Sequence, residues 1–256
     1  MNLILIAPGE VTAHGAVELR NRRARHVRTV LGGRVGQSLR VGLINGALGT
    51  GMVKAVTEDT VTLRCVFNKA VPPIPPVGIL LALPRPKVMK RLWAPLASLG
   101  VGRIYLTNAR RVERFYFDTH TLQPEFYEPQ LLLGLEQAGD TRLPQVTIHR
   151  RLEKLLAEAL PAPAPDEHRW VAHPAGEQHI GDLPRKGAPP QRICLAVGPE
   201  GGWSARELQL LADSGFTPVT IGPRILRTDI ACIALLGLAH EWLHAATALY
   251  RPAHPG

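Results

Sequence analysis

The stretch Ile193–Gly215, ICLAVGPEGGWSARELQLLADSG, holds a strand, a glycine-rich turn and a helix in direct succession. Ile193 to Val197 is a short apolar run, the pattern of a strand covered on both faces. Gly198-Pro199-Glu200-Gly201-Gly202 can extend neither a strand nor a helix. Ser204 and Glu207 have the spacing of a capping box, and Gly215 stands where a left-handed C-terminal cap belongs. The reading is therefore β-turn-α, with the turn at the carboxyl end of a strand. In parallel sheets such turns line ligand crevices, because glycines let backbone amides and carbonyls approach closely. No GK[ST] follows, so this is not a phosphate-binding P-loop, and GxGxxG is absent. A plain strand-to-helix turn uses glycines in the same way, so the ligand stays open.

Downstream the pattern recurs. Ile221-Gly222-Pro223-Arg224-Ile225-Leu226-Arg227-Thr228-Asp229 follows an apolar run at Val219–Ile221 and leads into a helix with Thr228 as N-cap. Arg224 and Arg227 can hold a phosphate or a developing anion by charge-assisted hydrogen bonds, or form ordinary surface ion pairs.

Upstream, strands and helices alternate back to residue 77. Val77–Leu83, Ile104–Thr107 and Arg169–Ala172 read as strands. The helical stretches start at Pro86 (kinked or ended by Pro95) and run over Leu131–Ala138 and Arg151–Leu160. Alternation of this kind argues for an α/β fold with a parallel sheet. Pro-rich stretches near 161–165 and 184–190 read as surface loops. Before Pro72-Pro73-Ile74-Pro75-Pro76, a stiff linker, the chain changes character. Leu3–Ile6, Ser38–Ile44, Gly51–Thr57 and Val61–Phe67 are β-rich, with Asn45-Gly46 as a hairpin turn, and suggest a small barrel. Two domains are expected, 1–71 and 77–256.

The chain has 30 Lys and Arg against 21 Asp and Glu, a net +9, which points to a polyanionic partner. Arg20, Arg22, Arg23, Arg25, His26 and Arg28 form one basic block; Arg110, Arg111 and Arg114 form another. Both are candidate RNA contacts, the alternative being solvated faces. Cys65, Cys194 and Cys232 suit neither a disulfide framework nor a metal knuckle, so a cytoplasmic setting is expected. The opening MNLILIAPGE does not read as a signal peptide. The apolar stretch Asp229–Tyr250 carries His240, Glu241 and His244, and reads as a buried or interfacial helix, with no membrane span.

Leu195–Ser204 and Ile221–Ala231 together resemble the two signature loops of the RsmE family, which methylates N3 of a uridine in 16S ribosomal RNA and belongs to the SPOUT superfamily. Family members read GPEGG, an aromatic and Ser, then LGxRILRTETA. The resemblance extends to Leu80–Gly100, to Leu135-Glu136-Gln137-Ala138-Gly139 and, in outline, to the N-terminal segment with His26–Leu31. It implies a PUA-like β-barrel, a C-terminal domain with a deep trefoil knot, and a homodimer. It also implies S-adenosylmethionine as cofactor. One wall of its site would be Val197, Gly198, Pro199, Glu200, Gly201 and Gly202. The other would be Ile221, Gly222, Arg224, Ile225, Leu226, Arg227 and Thr228. The sequence departs from the family at Pro95-Leu96-Ala97-Ser98, commonly Lys-Ala-Thr-Glu, at Asp140, usually Arg, and at Asp229, usually Glu. These lie almost wholly outside the cofactor loops.

Methylating N3 of uridine requires removing its proton and stabilising charge that spreads onto O2 and O4. The base must also leave its Watson–Crick pair. Arg227 or Arg224 is expected to face that anion or a neighbouring phosphate, and Glu200 is a candidate proton acceptor or cofactor orienter. Three rivals remain. His240-Glu241-Trp242-Leu243-His244 matches the zinc motif HExxH but has no third ligand downstream, so no metal is expected. The same fold can act on another RNA position, including a ribose 2′-oxygen. A barrel with basic patches can also bind RNA without catalysis.

Overall fold

A computed structural model of the chain describes residues 3–160, 162–176, 178–183 and 192–249, with side chains described to residue 245. The loop expected at 184–190 lies outside the described residues, as do position 161 and Tyr250. The backbone divides into two compact units. One comprises Met1–Ile74 with Leu131–Leu143, the other Pro75–Gln130 with Pro144–Gly256.

The first unit contains β1 (Ile4–Ile6), β2 (Ala16–Leu19), α1 (Asn21–Thr29), β3 (Ser38–Leu43), β4 (Leu48–Val56) and β5 (Val61–Val66). They form a five-stranded sheet ordered β1-β3-β4-β5-β2. Only the β1–β3 pairing is parallel. Asn45, at φ 59°, turns β3 into β4 as the Asn-Gly pair predicts. Alternating residues enter one core: Val17 and Leu19, Leu39 and Val41, Val61 and Leu63, with Ala24 and Val27 from α1. The basic block is thus a short amphipathic helix, its alanine and valine inward and its arginines outward. Asp140, where the family has Arg, accepts from the backbone of Thr141 and Arg142 at 2.6 and 2.9 Å.

The second unit contains β6 (Val77–Ala82), α2 (Pro86–Ser98), β7 (Val101–Thr107), β8 (Gln145–His149), α4 (Leu152–Lys154), β9 (Glu167–Ala172) and β10 (Gln178–His179). It continues with β11 (Arg192–Val197), α5 (Ala205–Asp213), β12 (Thr217–Thr220) and α6 (Thr228–Leu249). Helix α3 (Pro124–Ala138) runs from this unit into the segment 131–143 of the first. The sheet has seven strands in the order β10-β12-β9-β11-β6-β7-β8. Every pairing in it is parallel. Apolar runs make the central strands, as expected of a sheet buried on both faces: β11 is buried from Ile193 to Val197.

Pro95 neither ends nor breaks α2. The helix continues to Ser98: the proline lacks only its own N–H bond, its carbonyl still accepts, and Leu99 donates to it at 2.9 Å. Met89, Leu92, Trp93, Leu96 and Ala97 form its buried stripe. The stretch Arg151–Leu160 is α4 followed by one π-helical turn, Leu155–Ala159. No helix among the described residues is long and apolar enough to cross a membrane.

Candidate active site

Because all seven strands run the same way, the segments after β6, β7, β11 and β12 emerge at one sheet edge. The segment after β11 is the glycine turn, closed by Gly202 donating to the Pro199 carbonyl at 2.8 Å. Its exit is held by Glu207, which is buried. That carboxylate accepts from Ser204 N–H and Ser204 Oγ at 2.7 Å each, and from Arg110 N–H, after β7, at 2.6 Å. The predicted capping box is present, and Gly215 takes φ 84° at the far end of α5. The bond to Arg110 carries no sequence signal.

Two further contacts tie the turn down. Glu200 Oε1 accepts the Arg85 N–H at 3.1 Å, which links the turn to the residue before α2. Arg111 donates to the Gly201 carbonyl, and its side chain lies flat on that glycine. A β-carbon at 201 would come within 2.9 Å of Arg111 Cδ, so glycine here permits close approach. All three arginines of this block are exposed, and Arg111 contacts the turn with its side chain.

The second loop reaches the first through Thr228. Its hydroxyl is directed at the Gly198 carbonyl, 3.5 Å away, in place of the N-cap role expected of it. Asp229 instead accepts the next N–H, that of Ile230, at 3.1 Å. Asp229 also binds Arg91 of α2 at 2.8 Å, with Arg227 at 3.6 Å. Burial works against its charge, but the Arg91 hydrogen bond, the Arg227 guanidinium and the Ile230 N–H together hold the carboxyl below its usual value. Arg224, Ile225 and Arg227 are exposed, Ile225 at 87%. Val197 and Pro199 are buried; Gly198, Gly202, Ile221, Gly222 and Leu226 are partly covered. In the first loop, the buried Trp203 Nε1 has no hydrogen-bond partner among the described residues, and its ring abuts Gly198. Arg91 is a neighbour that the sequence reading did not single out.

Beside the turn lies a cavity of about 530 Å³, bordered by Asn108, Arg110, Arg114, Arg150, Arg151, Ser204 and Arg206. The HExxH helix turns elsewhere: His240 Nε2 is 2.6 Å from the Leu99 carbonyl, and no group of three metal-ligating side chains occurs among the described residues.

In α1 most of the basic block is already engaged. Arg22 pairs with Glu136 at 2.9 Å, Arg23 with Glu10, Arg20 with Glu18 at 2.5 Å, and Arg28 donates to the Glu58 carbonyl. Arg25 is exposed with no ion pair among the described residues. His26 Nε2 is buried and has no hydrogen-bond partner among the described residues, and desolvation lowers the pKa of the ring.

A family model for the RNA methyltransferase domain matches residues 72–240. The ribosomal RNA small subunit methyltransferase E of Treponema pallidum is 30% identical over 251 residues, covering 94% of this chain and 93% of that protein. The chain belongs to the ribosomal RNA small subunit methyltransferase E family. It is therefore an RNA methyltransferase by family, and the matched residues contain both loops. A family structure from Neisseria gonorrhoeae, bound to S-adenosyl methionine, superposes with TM-score 0.74 at 20% identity over 94% of this chain and 97% of that one. A putative methyltransferase from Legionella pneumophila, also with SAM, gives 0.70 at 25% identity over 96% and 97%.

Proposed function

We propose that the chain transfers the methyl group of S-adenosylmethionine to N3 of one uridine in small-subunit ribosomal RNA. The observation that carries this is the meeting of the two loops at Thr228 and Gly198. It joins the glycine turn to the residue that follows the Arg224–Arg227 loop.

The residues present fit the cofactor. Trp203 Nε1 is a buried donor without a partner among the described residues, a group that costs free energy unless something accepts from it. Gly202 and Gly222, one in each loop, have no atom closer than 3.9 Å to where a β-carbon would sit, which leaves their backbone open to a ligand held by main-chain groups. These residues and Thr228 would hold the cofactor, which when bound supplies a methyl group on a positively charged sulfur. The protein's own part is then to position the uracil and manage one proton. Arg227, or Arg224 beside it, neutralises the charge that develops on O2 and O4. Arg227 is steadied by Asp229. Glu200 already accepts the Arg85 N–H, which favours an orienting role over proton acceptance.

The same reading assigns 1–71 as a PUA-like RNA-binding domain and 77–256 as a SPOUT domain whose two loops form a trefoil knot. It expects a homodimer that works in the cytoplasm on ribosomal RNA. The test pairs calorimetry with S-adenosylmethionine and mass mapping of 16S ribosomal RNA from cells lacking the gene. One base methyl should be missing and should return with the wild-type chain. A missing ribose methyl, or none, would reject N3 of uridine as the target.

A further inference from the structure

The arginine-lined cavity beside α5 is not explained by the cofactor loops. Arg110 and Arg114 follow β7, Arg150 and Arg151 follow β8, and Arg206 lies in the first turn of α5. Little acid answers them. Arg150 pairs with Asp118 at 2.9 Å, and Glu153 stands 3.9 Å from Arg206. Glu207 is spent on Ser204 and on the Arg110 backbone. Among the described residues no carboxylate pairs with the guanidinium of Arg110, Arg114 or Arg151. Five guanidinium groups around one cleft repel one another unless an anion joins them.

The anion can be characterised. Guanidinium groups present planar donor forks that match phosphate oxygens, and here they come from three chain segments, which suits successive phosphates better than a single carboxylate. A volume of about 530 Å³ lies within the roughly 300–1,000 Å³ of sites that hold compact ligands. The cleft and the glycine turn also share one loop. Arg110 binds Glu207 at the start of α5, and the next residue, Arg111, lies on Gly201. A strand held in the cleft therefore runs beside the methyl-transfer crevice.

We propose that this cleft binds the phosphodiester backbone of the RNA strand that carries the target nucleotide. The proposal rests on the RNA-methylating function above and adds Arg150, Arg151 and Arg206 to its substrate side. The test is a titration of labelled single-stranded oligouridine against the full chain over a range of KCl concentrations. The proteins compared are wild type, the pair Arg114→Gln with Arg151→Gln, and the pair Arg114→Lys with Arg151→Lys. The glutamine pair should bind about tenfold more weakly, with a log–log salt slope shallower by about 1.4, because each phosphate contact on a single strand contributes roughly 0.7. The lysine pair should keep the slope, and both pairs should give the wild-type heat with S-adenosylmethionine. Unchanged affinity and slope in the glutamine pair would overturn the proposal. So would lost cofactor heat with RNA affinity intact, which would put the cofactor's carboxylate in the cleft. If the wild-type chain gave no heat with S-adenosylmethionine, the methyltransferase reading would fall alone, since the RNA titration reads the cleft directly.

Discussion

At the scale of single residues, Asp229 and Gly201 show how the loops are kept in place. Asp229 is buried between Arg91 and Arg227, and its carboxyl titrates below the usual 3.8. A depressed carboxylate contributes stability that is fully present above its unfolded-state value and is lost as pH falls through the folded one. Unfolding free energy should thus decline below about pH 3.8 more steeply in the wild type than in Asp229→Asn. At neutral pH the variant should be less stable by about 1 kcal/mol, because one partner is well exposed. Denaturant melts at pH 7 and pH 3 check both statements, and equal acid limbs would contradict the pairing. Gly201→Ala acts differently. The new β-carbon would displace Arg111 from the turn. S-adenosylmethionine affinity should drop about tenfold, or about 1.4 kcal/mol, with little change in melting temperature. Pairing the change with Arg111→Ala, which removes Cδ and Cγ and leaves only Cβ at 3.2 Å, should restore part of the loss.

Among the elements, α5 has the clearest causes. Ser204→Ala removes an N-cap and should cost about 1 kcal/mol. Glu207→Gln leaves three donors around a neutral amide and should cost about 2–3 kcal/mol, read in urea titrations. If the two variants were equally stable, the bond to Arg110 would carry no weight. The capping box was legible because both its partners lie within three residues of each other. Arg110 was not, because it is 97 residues away in sequence and offers only its backbone. The central strands were legible for a similar reason, since burial on both faces leaves an uninterrupted apolar run. Edge strands β8 and β10 were invisible: Gln145–His149 is largely exposed, and Gln178–His179 is a two-residue strand. β2 was hidden by its neighbour, the arginines of α1. Of the site, the two loops could be read from glycine and arginine spacing, but Arg91 and the cleft residues Arg150, Arg151 and Arg206 could not. They belong to it only through the fold.

For the whole molecule, net charge tells less than where the charge is free. The sequence carries +9, and both basic blocks read alike as RNA contacts. In and just before α1, however, Arg20, Arg22, Arg23 and Arg28 each have an acceptor within their own unit, and an RNA phosphate would have to compete with it. Around the cleft, Arg110, Arg114 and Arg151 have no such competitor among the described residues. Counterion release depends on phosphates newly neutralised, so a cation already paired contributes less to the salt dependence of binding. Replacing Arg20 and Arg22 by glutamine should therefore flatten the slope by clearly less than the roughly 1.4 expected for two free contacts on a single strand. Arg25→Gln alone should flatten it by up to about 0.7, since Arg25 is exposed and, among the described residues, has neither an ion pair nor the carbonyl acceptor that Arg28 has. The comparison needs only one labelled RNA and one salt series. A full loss of about 1.4 from Arg20 and Arg22 together would mean that their ion pairs open on binding, and that the first unit grips RNA with its whole basic block.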